Sequence, residues 1–202
     1  MKPISPPVRP DAHIASRVID HFQIADVRFA EVSARLVNDA PPDGSLGYEA
    51  NKVEALYVHE SENHRLHVVL PFVIVLGVTP TNGPKQPLAE VRVSLVVTYI
   101  QHARESAPTE EEIAHYAGVS GLMHGWPYLR AETQSLTTKL GLVPLVLPVM
   151  ISGQAAERVT ISRLKPASRG TPQSAEKKRR APPMASQRGT RATKTGRTRT
   201  ES

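Results

Sequence analysis

Residues 65–79 restrict the possible folds of this chain more than any other segment. Side chains alternate between the two faces of a strand, and in this segment both faces are apolar. One face carries Leu66, Val68, Leu70, Phe72, Ile74 and Leu76, and the other carries Val69, Val73 and Val75. A strand with two apolar faces must lie inside a sheet. The segment therefore predicts a central strand.

Three further segments have the composition and turn-rich boundaries of strands. They are residues 26–37, 48–60 and 88–102. Within the first, the apolar side changes between Phe29 and Val32, which predicts a β-bulge. Because these strands follow one another with short connections, we expect one four-stranded antiparallel sheet packed with helices, an α+β fold.

The covering helices can be placed from their caps. Apolar residues recur at helical spacing from Asp11 to Phe22, and Thr109 with Glu112 has the pattern of a capping box. We expect the helix that begins after Thr109 to end near Ala117. Three glycines then predict a flexible connector, and a second helix is expected from Trp126 to Gly141. The glycines of the connector are Gly118, Gly121 and Gly125.

Residues 142–151 are almost entirely apolar, but Pro144 and Pro148 interrupt them. Proline removes a backbone donor and clashes with the preceding turn, so a regular helix is excluded. An apolar segment that cannot be helical is expected to lie extended over an apolar surface.

The charge of the chain is unevenly distributed. From residue 163 onward there are twelve Lys and Arg against Glu176 and Glu201, a net charge of +10, whereas the whole chain carries +6 and the preceding residues therefore −4. A segment this polar cannot bury enough surface to fold. We expect a flexible N-terminus at residues 1–10, a domain at 11–155 and a disordered basic tail at 156–202. Nucleic-acid binding through the tail is one alternative function.

No motif points to catalysis or to a cofactor. The chain has no cysteine, no phosphate-binding glycine loop and no nucleophile elbow. His59, His64 and His67 lie near two glutamates, but a strand–turn–strand arrangement sends neighbouring side chains to opposite faces, so we expect no metal site. The longest apolar run, residues 68–78, is too short to cross a bilayer. A cytoplasmic protein without membrane insertion is expected.

Residues 108–148 resemble the corresponding stretch of the SecB family of export chaperones. The similar positions are Trp126-Pro127-Tyr128-Leu129-Arg130, a helix, and then Pro144-Leu145-Val146-Leu147-Pro148. The Pro-Thr-Glu-Glu-Glu segment at 108–112 is especially similar to the SecB-like branch associated with toxin–antitoxin systems. One departure is that this chain lacks the second long helix with an acidic tip, which argues against binding to the export motor.

The resemblance implies a homotetramer that holds unfolded polypeptide clients, an antitoxin among them, in apolar grooves without ATP. The acidic body would favour basic clients. The residues expected to form the groove wall are Leu122, Met123, Trp126, Tyr128, Leu129, Leu142, Leu145 and Leu147. A module of the same fold with one dedicated protein partner remains the other alternative.

Overall fold

The computed structural model describes residues 3–39, 45–80, 84–103 and 106–165. The predicted α+β fold is confirmed, with a mostly antiparallel sheet packed against helices. Its strands are β1 (Phe22–Leu36), β2 (Ser45–Ala50), β3 (Val53–Glu60), β4 (Arg65–Thr79), β5 (Gln86–Gln101) and β6 (Val159–Arg163). The helices are α1 (Ala12–Ser16), α2 (Glu110–Lys139) and α3 (Ser152–Arg158).

The strand that is apolar on both faces lies inside the sheet. The order is β1-β5-β4-β3-β6, and β2 pairs with β4 beyond the end of β3. All pairs are antiparallel except β3 with β6. The side chains of β4 that point toward α2 are fully enclosed, whereas Val69 and Val73 on the other face are half-buried. The predicted central position of this segment therefore holds.

The described sheet has six strands, so the expected number of four is wrong. Residues predicted as one strand form both β2 and β3, because the pairing with β4 is interrupted after Ala50 and resumes at Leu56. The short strand β6 was missed. Its alternation covers five residues only, with Val159 and Ile161 buried.

The first strand has the predicted bulge. The pairing register between β1 and β5 shifts between Phe29 and Glu31, and a second shift lies between Ile24 and Asp26. Among the described residues β1 pairs with β5 alone, so its other edge is open along fifteen residues. Most of its side chains are exposed, including Phe29 and Val32. This strand leaves apolar surface uncovered.

The glycine-containing connector is wrong as a prediction, because residues 118–125 lie within one continuous helix. Helix α2 begins with the predicted capping box at Thr109 and runs through Pro127 to Lys139. The three glycines recur at helical spacing and face packing partners. A Cβ at Gly121 would lie 2.7 Å from Val68 Cγ1, and one at Gly125 would lie 2.7 Å from Leu70 Cδ1. Glycine here permits close packing of a helix on a sheet.

The structure differs from expectation at both ends of the domain. The N-terminal helix is shorter than the expected segment, since α1 ends at Ser16 and Phe22 already belongs to β1. Residues 3–10, expected to be flexible, run beside β6, where Ile4 N–H donates to Arg163 O and Val8 exchanges hydrogen bonds with Ile161. The expected boundary at residue 155 falls inside α3, and β6 follows it. The tail from residue 166 onward lies outside the described residues.

We predict that Gly121→Ala destabilises the protein even though alanine favours helices. The better helix propensity contributes about 1 kcal/mol, but an overpacked core costs about 1–3 kcal/mol, and β-branched Val68 is too stiff to move aside. Chemical denaturation should show a lower free energy of unfolding than in the wild type. Gly125→Ala should lower it less, because the terminal methyl of Leu70 can rotate away.

Gly153→Ala in α3 is the matched control, since nothing lies within 4 Å of the added Cβ. A Gly121→Ala protein as stable as the Gly153→Ala protein would contradict the close packing of α2 on β4.

Between α2 and the sheet, half-buried His124 and buried Tyr99 form a polar pair. His124 Nδ1 lies 2.9 Å from the Tyr99 hydroxyl oxygen. Burial lowers the pKa of the His124 imidazole and raises the pKa of the Tyr99 hydroxyl well above its usual range. Burial also lowers the pKa of His67, which contacts Thr98 on the other face of the sheet. The folded protein therefore disfavours charge at both histidines.

We predict that the free energy of unfolding falls as the pH is lowered below about 6.5, where the unfolded histidines gain protons before the folded ones. His124→Asn should reduce this dependence between about pH 7.5 and 5. His67, whose pKa is also lowered by burial, should supply a further part of the dependence. His13→Asn, at an exposed position on α1, is the control and should leave the pH dependence of the free energy of unfolding as it is in the wild type. An unchanged pH dependence in His124→Asn would refute the assigned role of burial at this histidine.

Candidate functional site

Trp126 anchors a junction between α2, the sheet and the segment that follows α2. Its indole packs edge-on against Phe72 of β4, with ring centroids 5.6 Å apart. Its Nε1–H donates to Pro148 O at 2.8 Å. Because the side chain is almost fully buried and its donor is satisfied, it holds residue 148 against the helix.

Residues 142–151 form one segment without helix or strand, as the prolines predict, and hydrogen bonds fix its backbone to α2. We call it the proline-broken segment. Arg130 Nε donates to Leu147 O at 2.7 Å. Leu145 N–H donates to Thr137 Oγ1 at 3.0 Å, and Leu142 N–H donates to Thr137 O at 3.0 Å. These bonds satisfy backbone groups that the prolines prevent from forming helix.

The fixed backbone sorts the side chains of the proline-broken segment into two sets. Leu147 and Met150 are buried against the core. The outward set is apolar as well, and its exposed fractions are 71% for Val143, 56% for Val146, 71% for Val149 and 60% for Ile151. Four large apolar side chains within nine residues make a continuous feature rather than scattered exposure. We call these four residues the outward apolar row.

A pocket of about 100 Å³ opens where the break between β2 and β3 meets α3. Its buried lining is apolar, and its exposed lining is mostly polar. The buried residues are Val53, Phe72, Trp126 and Met150, and the exposed ones are Ala50, Asn51, Lys52, Glu157 and Arg158. Since Met150 belongs to the proline-broken segment, pocket and segment adjoin each other. An apolar side chain fits the floor, and charged groups stand at the margin.

The eight residues predicted for a groove wall are separated by depth. Tyr128 is exposed, while Met123, Leu142 and Leu145 are half-buried. The remaining four are buried in the core and pack beneath the surface residues: Leu122, Trp126, Leu129 and Leu147. Of these buried residues, only Trp126 also lines the pocket.

Sequence reasoning missed the outward apolar row and did not separate β2 from β3. The prolines identified the proline-broken segment as extended, but which residues point outward depends on hydrogen bonds to Arg130 and Thr137. Strand β2 pairs only with β4 among the described residues, and all six of its residues are exposed. Leu46 and Tyr48 pair with Val78 and Leu76 and therefore share their face of the sheet. The alternation of Leu46 and Tyr48 was the available signal.

The three histidines near the turn between β3 and β4, which are His59, His64 and His67, have ordinary packing roles. His59 is buried and its Nε2 lies 2.8 Å from Gln101 Oε1, while His64 adopts a left-handed turn conformation. Within the described ranges, no group of three or more His, Asp or Glu residues is placed to hold a metal ion. None of the described helices is both long and apolar enough to span a membrane.

Comparison with known proteins identifies relatives of this chain. No protein-family profile matches the sequence. SecB-like chaperone Rv1957 of Mycobacterium tuberculosis (strain ATCC 25618 / H37Rv) is 25% identical over 170 residues, which cover 79% of this chain and 92% of the relative. SecB-like chaperone MT2006 of strain CDC 1551 / Oshkosh matches with the same values.

The solved structure of M. tuberculosis Rv1957 SecB-like chaperone in complex with a ChAD peptide from Rv1956 HigA1 antitoxin has the same fold. The TM-score is 0.60 at 24% identity, covering 68% of this chain and 97% of that chain. The fold is therefore that of a SecB-like chaperone. The chain is a homologue of the SecB-like chaperone Rv1957, and the resemblance predicted from residues 108–148 is confirmed.

We predict that Thr137→Val loosens the proline-broken segment. Valine preserves the shape of this fully buried side chain but removes the acceptor of Leu145 N–H, which should cost about 1–2 kcal/mol. Hydrogen exchange at residues 142–147 should become faster. The adjacent Thr138→Val is the matched control, because the Thr138 hydroxyl is exposed and bonds only within α2. Equal exchange in the two variants would contradict the anchoring role of Thr137.

Proposed function

We propose that this chain is an ATP-independent holdase, which binds extended apolar segments of unfolded polypeptides and keeps them from aggregating. The outward apolar row beside the pocket at Trp126 is the observation that carries the proposal. A folded monomer gains nothing by exposing four large aliphatic side chains on a backbone held by hydrogen bonds. The homology to a SecB-like chaperone supports the same function.

Two features suit this surface to extended and varied chains. The outward apolar row follows an extended backbone, so contacts can be spread along a client rather than concentrated at one point. Strand β2 adds an open edge near the pocket, where unpaired backbone groups can accept a further strand from any sequence. Backbone pairing and apolar contact do not depend on the identity of most client side chains, which favours a broad client range.

An antitoxin is the particular client we propose. The solved relative is in complex with a peptide from an antitoxin, and that relative shares the fold of this chain. A peptide from such a partner would use the same pocket and outward apolar row. We place the protein in the cytoplasm and assign it no catalytic step and no cofactor, in keeping with relatives named as chaperones.

Self-association through β1 is part of the proposal. The open edge of this strand is fifteen residues long, and exposed Phe29, Val32 and Leu36 lie along it. An open edge of this length with apolar side chains would promote aggregation unless another chain covers it. A second copy pairing here would bury the edge, and two such pairs would form the homotetramer that the resemblance implies. The client surface at Val146 lies elsewhere in the chain.

The proposal is tested by light scattering from a refolding, aggregation-prone protein without ATP. The wild-type chain should suppress aggregation at near-stoichiometric amounts. Replacing Val143, Val146 and Val149 by serine should weaken suppression at least about fivefold, because it removes roughly 1 kcal/mol or more of apolar contact.

The control replaces Ile4, Val8 and Ile19 by serine. These side chains are also exposed, but none of them lines the pocket or belongs to the proline-broken segment. This control should suppress aggregation as the wild type does. No suppression by the folded wild-type protein would reject the holdase function and favour a module with one dedicated partner. Equal loss in both variants would reject the assigned surface.

A further inference from the structure

The pocket at Trp126 has an uneven charge at its margin. Lys52 and Arg158 are cationic, Glu157 is anionic, and all three side chains are exposed. In the part of the chain that the structure describes, neither Lys52 nor Arg158 forms an ion pair, unlike Arg35 and Lys85, which contact carboxylates. The margin therefore has two unpaired cationic groups and one carboxylate around an apolar floor.

The size of the pocket limits what can enter it. A cavity of about 150 Å³ accommodates benzene. The space of about 100 Å³ beside Trp126 is smaller and suits one aliphatic side chain. Phe72, Trp126 and Met150 line it, and the flexible side chain of Met150 can adapt to leucine, isoleucine, valine or methionine.

We propose that the pocket selects client segments in which an aliphatic residue lies two positions from an aspartate or glutamate. In an extended chain, side chains two positions apart point to the same side, about 7 Å from each other. An aliphatic side chain in the pocket therefore places its neighbour over the margin, where Lys52 and Arg158 attract a carboxylate. This specificity rests on the proposed holdase function.

At the pocket, the charges of Lys52 and Arg158 affect a bound client more than the net charge of −4 carried by residues 1–162. At physiological ionic strength the field of an exposed charge is screened over about 8 Å. Charges spread over the domain are therefore weakened at the pocket, while Lys52 and Arg158 border it directly. The net charge alone predicts a preference for basic segments. The charges at the pocket predict a preference for acidic segments, so binding measurements can distinguish the two hypotheses.

The test uses peptides of twenty residues with three leucines and no aromatic residue, in which the positions two away from each leucine are all Glu, all Gln or all Lys. Trp126 is the only tryptophan of the chain, so its fluorescence reports occupancy of the pocket without a label. The Glu peptide should bind the full chain at least about fivefold more tightly than the Lys peptide, because each exposed charge pair contributes modestly. The difference should shrink as salt is raised.

Variants of the margin locate the effect. Lys52→Gln and Arg158→Gln should each reduce the preference for Glu, and Glu157→Gln should increase it. Arg65→Gln changes the net charge equally at an exposed position at the start of β4, outside the pocket lining, and should leave the preference unchanged. Equal binding of all peptides, or tighter binding of the Lys peptide, would overturn the charge selectivity while leaving the holdase function standing. Absence of binding by any peptide would overturn both.

Discussion

The close packing of α2 on the middle of the sheet determines where this protein can cover apolar surface and where it cannot. Gly121 and Gly125 bring the helix axis near Val68 and Leu70, so the central strands are enclosed almost completely. This helix reaches the beginning of β1, where Tyr116 stacks on Phe22, but most of β1 and all of β2 stay exposed. Within the described residues, strands β1 and β2 therefore keep apolar side chains exposed, where a partner molecule could bury them.

The proline-broken segment covers only part of the remaining apolar surface. Its inward side chains pack against the core, and its outward side chains stay exposed. Hydrogen bonds from Trp126 and Arg130 hold its backbone, which frees the outward valines from any structural role. A flexible segment would lose conformational entropy each time it bound a client, whereas this one is already ordered. The result is an apolar surface on a backbone held by hydrogen bonds, beside a pocket with its own charge. Under the proposed function, this surface holds extended chains without ATP.

The sequence could predict those parts of the fold that depend on local pattern. Both apolar faces of residues 65–79, the bulge in β1 and the capping box at Thr109 each follow from neighbouring residues, and the structure has them all. The glycines were misread because local propensity treats glycine as a helix breaker. Their spacing along one helical face has meaning only when Val68 and Leu70 are known to lie opposite. Strand β6 was missed because five residues carry little pattern, and its stability comes from pairing with β3.

The candidate site could be predicted only in part for the same reason. Trp126 and the segment after α2 stood out in the sequence, but depth within the fold decides which side chains a client can touch. Four of the eight predicted residues are buried, and the exposed valines between them were not selected. The pocket depends on five parts of the chain meeting at residues 50–53, 72, 126, 150 and 157–158, and no local pattern reveals that meeting.

The most direct test of the account places a photo-crosslinking amino acid at Val146 and, in a second protein, at Ile19. These side chains have nearly equal exposed fractions, 56% and 55%, so accessibility alone cannot distinguish them. The account predicts that Val146 crosslinks an unfolded client efficiently, that Ile19 does so weakly, and that neither crosslinks the same client once it is folded. Equal crosslinking at both positions, or crosslinking of the folded client at Val146, would contradict a binding surface for unfolded chains on the proline-broken segment.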